Sequence, residues 1–96
     1  EAAEVIEAAR RLVQVTQQDE GAATDHLRAE VQEVASQAID EAVGEKPDAD
    51  AIDRLSDTLE GLAGRIEQGT RLAAAVRGLL GALGKLGAVL SIPGVG

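Results

Sequence analysis

Apolar residues recur every three or four positions along four stretches of the chain, the spacing that puts them on one face of an α-helix. The first stretch runs from about Ala2 to Gln18, with Val5, Ile6, Ala9, Leu12 and Val13 on one side and Gly21 as a stop. The second starts near Thr24 or Asp25, either of which suits an N-cap. It carries Leu27, Val31, Val34, Ala38 and Ala42 inward and ends at Gly44, with Pro47 just beyond. The third begins at Asp48 or Asp50, acidic residues that favour the positive end of the helix dipole. Its apolar positions Ile52, Leu55, Leu59, Leu62 and Ile66 are spaced 3-4-3-4, a heptad seam. The fourth has Leu72, Val76, Leu79, Leu83, Leu86 and Leu90, spaced 4-3-4-3-4. A break at Gly69-Thr70 is expected between the last two helices, because a glycine inside a helix costs about 1 kcal/mol. A continuous helix would also keep a heptad step, through Ile66, Gly69, Ala73, Val76, Leu80 and Leu83. Pro93 and its flanking glycines end the pattern. The predicted fold is all-α: a three- to four-helix bundle, or a helical hairpin with an apolar C-terminal helix.

The 21-residue segment from Leu72 to Ile92 departs from an ordinary amphipathic helix. Ala73, Ala75, Leu80, Ala82, Gly87 and Val89 flank the leucine seam, so the apolar arc is wider than a two-stranded coiled coil needs. Gly78, Gly81, Gly84 and Gly87 recur every third residue. Small residues at such spacing let helix backbones approach closely. They also weaken the isolated helix by about 1 kcal/mol apiece. Helicity here is therefore expected to depend on burial, in a partner or in lipid. The length suits a bilayer. Arg77 and Lys85 lie within the span, however, and each costs about 2.5–3.5 kcal/mol near the bilayer centre. An interfacial helix is the more favourable membrane arrangement.

Composition sharpens this division. The chain of 96 residues is 45% hydrophobic yet has no Phe, Trp, Tyr, Met or Cys. That allows one domain (residues 1–96) with a thin aliphatic core, for which self-association or docking is a natural remedy. All 17 acidic residues precede Gln68, beside six of the nine basic ones. Residues 1–67 thus form an acidic body of net charge −11, and residues 68–96 a Gly/Ala/Leu-rich segment of net charge +3. An acidic body argues against nucleic acid as a partner, since phosphate binding needs clustered Lys and Arg. The lack of Cys excludes disulfides and thiolate metal sites within the chain and suits a reducing compartment. No signal peptide opens the sequence, and a start at Glu1 without Met points to a fragment of a larger protein.

No catalytic, cofactor-binding or metal-binding set emerges. His26 is the one histidine, and no Glu-x-x-His pair exists. Asp48, Asp50 and Asp53 lack the mid-loop glycine and twelfth-position Glu of a calcium loop and read as helix capping. Ser36, Ser56 and Ser91 have no base in a recognisable motif. An enzyme is not expected.

An acidic helix, then Lys46-Pro47-Asp48-Ala49-Asp50, a seamed helix from Ile52-Asp53-Arg54-Leu55 to Ile66, and a Gly/Ala/Leu-rich end follow one another from Leu27 to Leu90. That order resembles helical C-terminal effector-associated modules of bacterial, especially actinobacterial, conflict-system proteins. The resemblance rests on helix order and composition and implies a non-enzymatic module that joins a sensor or effector through helix–helix contacts. Two readings stand. In the first, a cytoplasmic oligomerisation or docking module meets copies of itself or a helical partner domain. Leu72, Val76, Leu79, Leu83, Leu86 and Leu90 carry the contact, and Gly78, Gly81 and Gly84 permit close approach. In the second, the cationic tail is membrane-active toward an anionic surface and is restrained by the acidic body.

Overall fold

A computed structural model of the chain describes residues 2–18 and 24–90. Four helices account for most of them: α1 (Ala2–Gln18), α2 (Asp25–Val43), α3 (Ala49–Ala63) and α4 (Arg71–Leu90). Each helix packs on its neighbours in the ring α1–α2–α3–α4–α1, and the diagonal pairs make no close backbone approach. Short connections between consecutive helices give the up-down-up-down topology of a four-helix bundle. Its extents of 45 × 20 × 18 Å are those of such a bundle. The helical hairpin expected from Gly44–Pro47 is present as the α2/α3 pair. α4 lies between α3 and α1.

The helix ends follow from local chemistry. Thr24 caps α2, its side-chain oxygen accepting from the Leu27 backbone N–H at 3.2 Å. The Asp48 carboxylate caps α3, accepting from Asp50 N–H at 3.1 Å, while Glu41 accepts from Asp48 N–H at 2.7 Å. The acidic triplet at 48–53 thus opens a helix. The break between α3 and α4 comes earlier than expected: α3 ends at Ala63 with Gly64 as its C-cap, so Ile66 lies beyond the helix, and Gly69 falls in the turns that precede α4. Gly69 has φ of +82°, a left-handed conformation that costs an L-residue with a side chain about 1 kcal/mol or more. Thr70 follows as the N-terminal cap of α4, accepting from Ala73 N–H at 3.2 Å through its hydroxyl and from Ala74 N–H at 3.1 Å through its carbonyl. The stops expected at Gly21 and Pro93 lie outside the described residues.

The core is built from aliphatic side chains interleaved with alanines. Leu12, Ile52, Leu59, Leu72, Leu79 and Leu83 are among its largest fully buried members. Ala9, Ala35, Ala38 and Ala42 are buried in it, where a larger residue would overpack the interior. The 4-3-4 row Val5, Ala9, Leu12 and Thr16 is buried along α1. Thr16 is the one buried polar residue among those described. Its hydroxyl donates to the Val13 carbonyl at 2.6 Å and accepts from the Gln32 side-chain amide at 2.8 Å, tying α1 to α2. Both hydroxyl functions are satisfied, which removes the cost of burying it.

This core corrects one expectation. The apolar arc of the last helix needs no second molecule to leave water, because α1 and α3 cover it. Val43 is the one exposed large hydrophobic residue among the described residues. The chain supplies its own shelter.

Candidate interaction surface

Two faces of α4 have opposite characters. Leu72, Val76, Leu79 and Leu83 are 0% exposed and Leu86 is 4% exposed, all within the intramolecular core. Leu90 is half-buried at its edge. The leucine seam expected to carry an intermolecular contact is thus occupied by the chain's own helices. A partner could reach it only by opening the bundle.

The opposite face is unusual for a surface helix. Ala74, Arg77, Gly78, Gly81, Gly84, Lys85 and Ala88 are exposed. Within the chain these glycines do not sit where its own helices crowd together. A Cβ built on Gly78, Gly81 or Gly84 would meet nothing within 4 Å. Of the α4 glycines only Gly87 touches the bundle, with the Ile52 Cγ2 atom 3.5 Å from such a Cβ. Nothing within the monomer requires three glycines on this face, although each weakens the helix.

α1 forms the second wall of a shallow trough lined on the α4 side by Ala74, Ala75, Gly78, Gly81 and Ala82. Lys85 and Glu4 mark one end, their charged groups 3.6 Å apart and both well exposed. Arg10, Arg11, Arg71 and Arg77 line the trough as well, together with Glu7, Gln14 and Gln18. The Arg77 guanidinium donates to the Gln68 side-chain carbonyl. Arg10, Arg11 and Arg71 have no ion pair among the described residues. Sequence periodicity points to α4 but not to Arg10 and Arg11, because their relevance depends on α1 closing the ring beside α4.

Ring closure also turns a lengthwise charge division into a sideways one. Glu4 and Glu7 cancel Arg10 and Arg11 on α1, and α4 carries Arg71, Arg77 and Lys85, so this pair of helices has a net charge of +3. On α2, five acidic residues face one arginine, and on α3 four face one, a combined −7. The adjacency of α1 with α4 and of α2 with α3 places the two charges on opposite sides of the bundle.

A second shallow groove lies between α2 and α3, lined by Glu30, Glu33, Gln37, Asp57 and Thr58 over Val34 and Leu62. Arg65 reaches Glu30 there at 3.8 Å. His26, largely exposed, sits 3.0 Å from Glu30 one turn away. No three His, Asp or Glu side chains converge to hold a metal ion among the described residues. α4 is long and apolar enough to cross a membrane by length and composition, yet its apolar side is packed inside the bundle. No family model matches this sequence, and neither a curated protein nor a solved structure matches it.

Proposed function

We propose that the chain is a non-enzymatic assembly module that joins copies of itself through the outer α1/α4 trough, not through its leucine seam. The observation that carries this reading is the set of exposed glycines at positions 78, 81 and 84, open to solvent and bordered by cations. A surface helix gains about 1 kcal/mol for each glycine replaced by alanine. Glycine is useful where another helix must come close. On a chain of net charge −8, a trough whose two helices sum to +3 attracts an acidic surface. The effector-associated resemblance, with its helix–helix joining role, fits the same reading.

The trough can be filled without harming the monomer, since the space above its glycines is empty. Gly78→Leu/Gly81→Leu is expected to keep or raise helicity and to weaken self-association at least tenfold. Light scattering with refractive-index detection suits a chain lacking Trp and Tyr. Undiminished assembly of this variant would remove the trough as the contact surface. The restrained membrane-active tail is the competing reading. Wild-type protein that stays monomeric in lipid-free buffer yet co-sediments with anionic vesicles would favour it and overturn the assembly module.

A further inference from the structure

α3 carries an acidic row on its outer face. Asp50, Asp53, Asp57 and Glu60 are all exposed and spaced 3-4-3, which stacks them along one side of the helix. Asp53, Asp57 and Glu60 make no ion pair among the described residues. At 1.5 Å rise per residue the row is about 15 Å long. The α4 residues that line the trough, Arg71 to Lys85, span about 21 Å by the same measure. The row therefore fits within the length of the trough and opposes it in charge. They also lie on different sides of one molecule, because α3 and α1 are diagonal in the ring.

We infer that the occupant of the α1/α4 trough is the acidic α3 ridge of a second copy, so that copies join head to tail. This rests on the assembly reading above and supplies its mating surface. A contact between two different patches leaves one ridge and one trough free at the ends. Growth therefore continues past a dimer, into a ring if the rotation closes and a filament if it does not. The net charge of −8 per copy opposes association at long range. At about 0.15 M salt the Debye length is about 8 Å, which screens that repulsion across the molecule while sparing contacts of a few ångströms. A symmetric trough-to-trough dimer would instead set two +3 surfaces against each other.

Two neutralised variants test the junction, and every altered side chain is exposed. The trough variant is Arg10→Gln/Arg11→Gln/Arg71→Gln, and the ridge variant is Asp53→Asn/Asp57→Asn/Glu60→Gln. Circular dichroism establishes that both remain helical, and light scattering reports mass against concentration at about 0.15 M salt. Wild type is expected to grow beyond a dimer. Each variant alone should associate at least tenfold more weakly. An equal mixture retains one native ridge and one native trough per pair and should stop at a dimer. A ridge variant that assembles like wild type, or a mixture no heavier than its components, overturns the ridge as occupant while leaving the trough reading intact. Wild type that stays monomeric throughout overturns both.

Discussion

Leu79→Ala combined with Leu83→Ala is expected to unfold most of the protein at 25 °C, whatever its concentration. Both side chains are 0% exposed in the interior of the bundle, on the face of α4 turned toward the other helices. Each truncation removes buried aliphatic groups and leaves a cavity that rigid neighbours fill only in part, at about 2–5 kcal/mol. A small domain has about 5–15 kcal/mol in total. One turn apart on the same helix, the two changes share neighbours and need not add strictly. Their sum nevertheless consumes most of the available stability. The far-UV circular dichroism signal at 222 nm should fall by more than half in dilute buffer. Leu79→Ala alone should lower the urea midpoint without changing its dependence on protein concentration. If the seam were an intermolecular face, as the sequence pattern alone allows, both variants would keep their helicity and lose only mass.

Gly78→Ala/Gly81→Ala/Gly84→Ala is expected to move stability in the opposite direction. A surface glycine in a helix gives up more backbone freedom on folding than alanine does, and the difference is about 1 kcal/mol per site. The added methyl groups have open space at all three positions. The triple variant should gain about 2–3 kcal/mol, which for a domain of this size raises the melting temperature by roughly 10–20 °C. The methyl groups at positions 78 and 81 protrude into the trough, so self-association should weaken as thermal stability rises. A fall in melting temperature would mean that something packs on these glycines inside the monomer. A rise in stability with unchanged assembly would separate the glycines from the contact surface.

Much of the bundle was legible in the sequence because large aliphatic side chains carry strong periodic information. Val5, Leu12, Val31, Leu59, Leu79 and Leu83 all point inward as their spacing implies. Thr24, Asp48 and Thr70 announce helix starts through side-chain oxygens suited to capping backbone N–H groups. The glycines of α4 were harder to place, since a residue without a Cβ leaves no mark on a hydrophobic pattern. A signal was nonetheless present. Arg77 and Lys85 fall on the same helical stripe as Gly78, Gly81 and Gly84, and charged side chains seldom face a dry core. That stripe marks the outward side.

The α1/α4 wall was the least legible part. It joins the two helices farthest apart in the chain, and no local pattern encodes their meeting. Composition shows that the core is aliphatic but does not show how it packs. Alanines at 9, 35, 38 and 42 are buried among the aliphatic side chains that fill the interior. Thr16 was missed because a hydroxyl does not register as apolar, although it continues the row of Val5, Ala9 and Leu12 and finds Gln32 on the next helix.

Amide hydrogen exchange along α4, followed on the wild-type chain at dilutions where light scattering reports a monomer, bears most directly on whether the bundle shelters its own leucines. Protection from Val76 to Leu86 should match that of buried segments in α1 and α3 and should not change on further dilution. Exchange in this stretch at the rate of an unstructured peptide in the monomer, with protection returning only when copies or lipid are added, would contradict the self-contained core.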